Sequence, residues 1–230
     1  MTLQTPQPWL VFDTADDFST GGSGFGDRTD RWDFFGNPND FGSSSSSIPY
    51  CNGFAAAGPG SNPANVVNGV DLTGVACTST SGISTLVTTL PSSLGAKCAA
   101  VAPDLTTLAK AGCYVKGSSV MTPPMNGTFG TMGRNIFRDS GFKNVDFSVF
   151  KDFRFKERFG AEFRVEFFNL FNRAIIANPF GSSNTSFLGS DPSNSGHFGC
   201  GCSTPDVAAG NPLVGSGSSR VMQLGLKLTF

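Results

Sequence analysis

The C-terminal segment of the chain, residues 220–230 (RVMQLGLKLTF), alternates apolar and polar side chains without interruption. Successive side chains of a strand point to opposite faces, so one face is apolar and the other polar. A tilted strand of about ten residues crosses a bilayer, whereas soluble strands average about five or six residues. The pattern predicts a transmembrane β-strand, with a half-buried strand of a soluble sandwich as the alternative. The apolar face comprises Met222, Leu224, Leu226, Leu228 and Phe230.

Two earlier segments, residues 144–155 and 159–171, repeat this alternation around a short polar link at residues 156–158. They predict a hairpin of two long strands. Ionisable residues in a row on one face are costly against lipid but favourable in a wet lumen, where they pair across strands. A soluble barrel with a phenylalanine-packed inside is the alternative, because periodicity does not say which face is which. The predicted lumen-facing charges are Asp146, Glu162, Arg164, Glu166 and Lys227.

The amino-acid composition excludes several classes of protein. Among 230 residues, 14% are charged, the formal net charge is −1, and 23 phenylalanines stand against 2 tyrosines and 2 tryptophans. The basic footprint of a nucleic-acid-binding protein is absent, so no nucleic-acid partner is expected. No apolar run is long enough for a transmembrane helix, and residues 1–6 lack the features of a signal peptide. We therefore expect that Met1 is not the true start and that the chain is the tail of a longer exported protein.

Several motifs resemble a known family. Residues 127–138 (GTFGTMGRNIFR), 142–151 (FKNVDFSVFK) and 164–172 (RVEFFNLFN), followed by the alternating strand and terminal phenylalanine, are similar to the C-terminal end of Oar-like TonB-dependent outer-membrane receptors, abundant in Acidobacteria. The resemblance covers residues 128–230. It extends more loosely to residues 9–38, where DRTDR and GNP are similar to a loop region of that family.

The resemblance implies an all-β fold, a partial antiparallel transmembrane β-barrel sheet of about three or four strands with long irregular extracellular loops. Complete transporters of this kind have about 22 strands around a plugged lumen. Residues 1–14 are then the remnant of an upstream barrel strand, and residues 15–133 a Gly/Ser/Pro-rich extracellular loop or insertion. Residues 134–230 hold the C-terminal barrel strands, with a further loop at about 173–219.

The same resemblance implies a function, the uptake of a large nutrient such as a ferric chelate, cobalamin or an oligosaccharide. The expected location is the outer membrane of a Gram-negative bacterium. Outer-membrane lipid and the barrel-assembly machinery are expected partners, the latter reading the terminal strand from Met222 to Phe230 as an assembly signal. TonB would act only through an N-terminal part that this chain lacks, and the transported ligand is unknown.

The long loops hold six cysteines, and an even count on an exported surface predicts disulfides. Four of them lie within residues 51–113 and allow three connectivities that the sequence does not distinguish. His197 near the last two suggests a metal site, but a disulfide is favoured because zinc needs four ligands with longer spacers. Residues 103–112 predict a short surface helix with a glycine stop. The cysteines are Cys51, Cys77, Cys98, Cys113, Cys200 and Cys202.

The remaining signals are weak. Gly22-Ser23-Gly24-Phe25-Gly26 has the composition of a phosphate loop without its strand and helix, so we assign it to a loop. The acids between Asp13 and Asp30 are interpreted as solvated loop carboxylates rather than a calcium site. No catalytic residue, cofactor or metal site is predicted, and the chain is not expected to be an enzyme. Two alternatives to transport stay open: a structural, adhesive or self-associating surface module, and a truncated reading frame with no activity of its own.

Overall fold

The computed structural model of the chain describes residues 1–13, 18, 31–82, 86–155, 159–173, 175–180, 189–205, 217 and 219–230. The described residues form mostly antiparallel sheets, which confirms the predicted all-β class. The strands are β1 Thr2–Gln4, β2 Pro8–Trp9, β3 Asp33–Phe35, β4 Tyr50–Asn52, β5 Ala55–Ala56, β6 Val66–Val67, β7 Val70–Asp71, β8 Ala76–Thr80, β9 Val87–Leu90, β10 Cys113–Lys116, β11 Ser119–Thr122, β12 Phe137–Arg138, β13 Phe142–Asn144, β14 Phe147–Phe155, β15 Phe159–Phe168 and β16 Val221–Thr229. The helices are α1 Ser93–Val101 and α2 Leu105–Ala111, with 3₁₀ helices at Pro38–Phe41 and Pro63–Asn65.

The N-terminal residues pair with the segment that leads into β14. Strand β1 pairs with β13 and β2 pairs with β12, both antiparallel. Thr2 lies opposite Asn144 and Trp9 opposite Phe137, so the register does not shift between the two pairs. We call this continuous pairing the N-terminal ladder. Residues 2–4 and 8–9 form strands, and the origin of this segment in an upstream barrel strand stays a prediction.

A six-stranded sheet in the order β3-β11-β10-β4-β8-β9 lies between the two arms of this ladder in sequence. Its central strands β10 and β11 are buried on both faces. Tyr114 lies opposite Met121 on one face, and Val115 lies opposite Val120 on the other. Each face therefore covers a separate hydrophobic core.

The first core, which we call the aromatic core, draws on three distant parts of the chain. Trp9 comes from the N-terminal ladder, Tyr114 from β10, and Phe198 from the last loop. The Tyr114 and Phe198 ring centroids are 4.5 Å apart, a distance at which tilted aromatic pairs attract. The core thus joins the segments into one body. Its members are Trp9, Val11, Phe18, Trp32, Phe41, Ile48, Tyr114, Met121, Met132, Phe137 and Phe198.

The second core, which we call the disulfide core, lies between the six-stranded sheet and the helices. Helix α2 confirms the helix predicted at residues 103–112. The Asp104 carboxylate accepts a hydrogen bond from the Thr106 N–H, and Gly112 ends the helix at φ +67°. Helix α1 was not predicted. Members of this core are Cys51, Phe54, Val70, Val75, Cys77, Cys98, Ala99, Leu108, Cys113, Val115 and Val120.

The stretch predicted as irregular loop between residues 15 and 133 is more regular than expected in its described part. Besides the six-stranded sheet it contains a small sheet in the order β5-β7-β6. Its strands escaped the sequence pattern for two reasons. They are two to five residues long, and the central ones are buried on both faces, so they lack the apolar-polar alternation. We call residues 31–82, 86–132 and 189–205 together the cap.

The three longest strands form a separate sheet in the order β14-β15-β16, which we call the wall. Each strand has nine or ten residues. All residues of β14 are exposed, and none of the wall belongs to either core. The wall therefore presents both of its faces to its surroundings.

Candidate functional site

The strand register of the wall sorts its side chains into two faces of opposite character. The rows Phe147–Phe167–Met222, Val149–Val165–Leu224 and Phe153–Ala161–Leu228 lie on one face. The alternation predicted for the hairpin and for the terminal strand is therefore present, and the terminal strand β16 pairs with β15 of the hairpin. Lys151 interrupts the apolar face in the row Lys151–Phe163–Leu226, and its ammonium lies 5.3 Å from the centre of the Phe153 ring.

The opposite face carries the charges. The row Asp152–Glu162–Lys227 sets a lysine directly opposite a glutamate, and the next row sets Arg164 opposite Gly225. The Arg164 guanidinium also contacts the Glu166 carboxylate at 2.6 Å. Because both groups are partly solvated, this pair stabilises the fold little. It makes this face of the wall polar. The structure places Glu162, Arg164, Glu166 and Lys227 on one face, as their spacing requires.

Asp146, the fifth predicted lumen-facing charge, lies just before β14 and has a structural contact. Its Oδ1 accepts hydrogen bonds from the Asn169 N–H at 3.0 Å and from the Asn144 Nδ2 at 3.0 Å. The Arg220 N–H in turn donates to the Asn172 Oδ1 at 3.0 Å, which fixes the start of the last strand. These bonds hold together the end of the wall from which the cap segments leave. At the other end lie the short 156–158 link and the C-terminus.

The cap is cross-linked by three disulfides, Cys51–Cys77, Cys98–Cys113 and Cys200–Cys202. The predicted pairing within residues 51–113 is confirmed, and the structure selects one of its three connectivities. Cys51 lies opposite Cys77 on one neighbouring strand and opposite Cys113 on the other. Two disulfides therefore meet on one face of the sheet, inside the disulfide core.

The last loop packs against the six-stranded sheet. The Ile48 N–H donates to the Phe198 carbonyl at 2.7 Å, and the Gly201 N–H donates to the Ser44 carbonyl at 2.9 Å. The buried Tyr114 hydroxyl donates a short hydrogen bond to the Pro192 carbonyl. The loop is thus bound to the rest of the cap by backbone and side-chain contacts, a docking that the sequence did not indicate.

Titratable groups of the cap respond to burial and to their hydrogen bonds. Burial raises the pKa of Tyr114 well above its ordinary value of 10.0, and the charges of Tyr50, Asp13 and Asp191 act in the same direction. Burial lowers the pKa of Lys116, whose ammonium donates to the Gly42 carbonyl at 3.1 Å. The hydroxyl of Ser119 donates to the Asp40 carboxylate at 2.7 Å and lowers its pKa. Tyr114 is therefore a neutral hydrogen-bond donor.

The candidate metal sites of the sequence do not form in the described residues. Cys200 and Cys202 are disulfide-bonded, as the favoured interpretation predicts, and His197 Nδ1 lies 3.1 Å from the Asn194 Oδ1. The interpretation of Asp13 as a solvated loop carboxylate is wrong, because Asp13 is buried and accepts a hydrogen bond from the Trp32 Nε1 at 2.7 Å. The other acids of that run and the loop at residues 22–26 lie outside the described residues. In the described part of the chain, no cluster of three or more His, Cys, Asp or Glu could hold a metal.

A sheet of long strands with one apolar and one charged face, a short link at one end and a large folded excursion at the other, defines a segment of an outer-membrane barrel wall. None of the helices among the described residues has the length and apolarity to span a membrane. A family model described as an outer membrane beta barrel domain matches residues 18–217, and the chain belongs to this family. This membership supports an outer-membrane location. No curated protein and no solved structure matches the chain significantly.

Proposed function

We propose that the chain is the C-terminal part of a TonB-dependent outer-membrane receptor of a Gram-negative bacterium that takes up a large nutrient. The candidate transported ligands are a ferric chelate, cobalamin and an oligosaccharide. The wall contributes barrel strands, the cap contributes the extracellular surface that meets the ligand, and β16 contributes the signal for barrel assembly. TonB acts through a part of the receptor outside residues 1–230.

One observation carries this proposal: the two ends of the wall differ. The long connections, which form the cap, leave from the end held by Asp146 and Asn169. At the opposite end, three residues of sequence separate the end of β14 at Phe155 from the start of β15 at Phe159. Barrels of the bacterial outer membrane have short periplasmic turns and long extracellular loops. The disulfides of the cap also suit an oxidising exterior.

The assembly role is tested on the last strand. Leu226 lies at the middle of the apolar face, where a charge facing lipid costs about 2–4 kcal/mol. We expect Leu226→Lys to lower the amount of receptor in the outer membrane, and deletion of Phe230 to do the same. Gln223→Lys is the matched control, because Gln223 lies on the polar face of the same strand. Equal surface levels of Leu226→Lys and Gln223→Lys would contradict the assignment of the faces.

The transport role needs its own test. Cells with and without the gene are given labelled ferric chelates, cobalamin and oligosaccharides, and uptake is measured before and after a protonophore collapses the proton-motive force. We expect one cargo whose uptake requires both the gene and the force, because TonB draws its energy from the inner membrane. Uptake that persists after the collapse would contradict TonB dependence.

The proposal gives the chain no catalytic, cofactor-binding or nucleic-acid-binding role. All six cysteines are in disulfides, so none is available as a nucleophile or metal ligand. The partners that the proposal requires are outer-membrane lipid for the apolar face and the barrel-assembly machinery for β16. The third partner is the transported ligand, which binds at the cap.

A second candidate, a surface module that acts by adhesion or self-association, is favoured by the size and cross-linking of the cap. Among the described residues, β16 pairs only with β15, which leaves an edge that a second copy could extend. Immunoblotting of membrane fractions separates the candidates. A band several times heavier than 24.0 kDa supports the receptor, and a discrete band near 24.0 kDa supports the module.

A further inference from the structure

A cavity of ≈ 370 Å³ opens where the N-terminal ladder meets the loop that follows the wall. The volume lies at the lower end of the range of about 300–1,000 Å³ typical of small-molecule sites. Three separate segments line it, residues 4–7, 139–142 and 175–180, together with Pro205. The cavity is therefore distinct from both faces of the wall and from the two cores.

A single carboxylate holds these segments in place. Asp139 Oδ1 accepts hydrogen bonds from the Gln7 N–H at 2.7 Å and the Gly141 N–H at 2.9 Å. Asp139 Oδ2 accepts one from the Asn178 Nδ2 at 3.0 Å, and the Asn178 Oδ1 accepts one from the Phe180 N–H. Because the walls are fixed by internal bonds, the cavity exists before a ligand arrives, which lowers the entropy cost of binding.

The lining combines flat apolar surfaces with amide groups. The half-buried ring of Phe142 and the exposed ring of Phe180 line the cavity. The Gln4 amide makes no hydrogen bond within the described part of the chain, so it can both donate to and accept from a ligand. Gln7 donates its Nε2 to the Thr5 carbonyl at 2.9 Å, which leaves its side-chain carbonyl as an acceptor.

Charge restricts the ligand further. Among the described residues that line the cavity there is no Lys, Arg or His, so an anionic ligand would find no counter-charge there and would meet the Asp139 carboxylate. Among the described lining residues, a cation would meet only the Asp139 carboxylate, which already accepts three protein hydrogen bonds. A wholly apolar ligand would leave the amides without partners. A neutral ligand with many hydroxyls and an apolar C–H face satisfies both the rings and the amides.

We propose that this cavity binds one or two units of a neutral sugar, with the C–H face of a ring against Phe180 or Phe142 and its hydroxyls on Gln4 and Gln7. This inference deepens the proposed function and rests on it, because it names the ligand class that the receptor engages at its cap end. Free oligosaccharides and the glycan of lipopolysaccharide share the required chemistry.

The test uses the chain purified in detergent micelles and a panel of neutral disaccharides and trisaccharides built from glucose, mannose, galactose, xylose and N-acetylglucosamine. Binding is followed by saturation-transfer NMR and by calorimetry, and purified lipopolysaccharide is assayed in parallel. We expect at least one panel member to bind, and a glucuronate-containing disaccharide to bind more weakly. If only lipopolysaccharide binds, the sugar site stands and the cargo assignment falls; if no probe binds, the site itself is overturned.

Substitutions locate the site. Gln4→Ala is expected to weaken binding about five- to tenfold, and Phe180→Ala about tenfold. Matched controls are Gln223→Ala on the wall and Phe171→Ala on an exposed turn, neither of which lines the cavity. Tryptophan fluorescence during urea unfolding verifies that the variants fold. Equal losses in the controls would place the binding elsewhere and overturn the proposal.

Binding and transport are separable outcomes. Sugar binding without energy-dependent uptake supports this site and contradicts the transport role. Uptake of a ferric chelate or cobalamin without sugar binding supports transport and contradicts this site.

Discussion

At the scale of single residues, Tyr114 holds together parts of the molecule that are distant in sequence. Its ring lies in the aromatic core, and its hydroxyl donates to the Pro192 carbonyl of the last loop. Because the folded state keeps the phenol neutral, the group contributes stability below pH 10.0, the ordinary pKa of tyrosine. Above this value the unfolded chain loses the proton while the folded chain keeps it, so stability falls as pH rises.

Tyr114→Phe is therefore expected to have two effects. It lowers the free energy of unfolding at neutral pH by about 1–3 kcal/mol, because the buried Pro192 carbonyl loses its donor. It also flattens the loss of stability above pH 10.0. Urea unfolding followed by the fluorescence of Trp9 and Trp32 measures both. Tyr50→Phe removes the other tyrosine and should keep the alkaline loss; the same flattening in that variant would contradict the role given to Tyr114.

A second residue-scale prediction concerns Gly82, which lies under the Cys200–Cys202 disulfide. A Cβ on Gly82 would lie 2.4 Å from the Cys202 Sγ and 2.5 Å from the Cys200 Sγ. Gly82→Ala is expected to push the last loop away from the rest of the cap and to lower the free energy of unfolding by about 1–3 kcal/mol. Gly58→Ala is the control, since a Cβ there meets nothing within 4 Å. Similar unfolding midpoints for the two variants would refute this packing.

At the scale of elements, the position of Cys51 between Cys77 and Cys113 predicts disulfide exchange. Removal of Cys77 leaves a thiolate at Cys51 beside the Cys98–Cys113 bond, on the same face of the sheet. Attack on the Cys113 sulfur then forms Cys51–Cys113 and releases Cys98 as a thiolate. In Cys77→Ala, peptide mass mapping under non-reducing conditions should find Cys98 alkylated. In the double variant Cys51→Ala/Cys77→Ala, Cys98–Cys113 should persist; an intact Cys98–Cys113 bond in the single variant would contradict the prediction.

Some strands and helices of this fold could be predicted from the sequence pattern, and others could not. The wall was predictable because its strands are long and each has one polar face, so Leu224 and Gln223 alternate visibly. Strand β10 is short, and its residues Cys113, Tyr114 and Val115 are consecutive and all buried, so no apolar-polar alternation appears before Lys116. Helix α2 was predictable from its capping aspartate and glycine stop, whereas α1 has no side-chain cap and contains Gly95.

The cavity could not be predicted from the sequence, because contacts between distant residues form it. Asp139, Ser140 and Gly141 have the composition of a turn, but composition does not show which segment the turn contacts. The contact of Asp139 with Asn178 joins residues 39 positions apart, and a single sequence does not encode such a pairing in any local pattern. The docking of Tyr114 on Pro192, across 78 positions, is another case.

At the scale of the whole molecule, the cap and the wall depend on different solvents. The cap residues that belong to the two hydrophobic cores are buried by the protein itself, whereas Phe147, Leu224 and Leu226 of the wall are exposed. Hydrogen exchange should therefore show protected amides in both parts in detergent micelles. On dilution of the detergent, the wall should lose protection while the cap keeps it, because only the wall loses its apolar environment. Loss of protection in both parts at the same dilution would contradict this division.

The N-terminal ladder allows the segment between its two arms to vary in length during evolution. Residues 10–136 leave the ladder at Trp9 and return at Phe137, its direct neighbour across the strand pair. The entropy of closing a loop grows only with the logarithm of its length, and a pair of adjacent ends accepts a short or a long excursion without a change of register. The cap can thus be lengthened, shortened or exchanged by recombination while every strand of the wall keeps its partner.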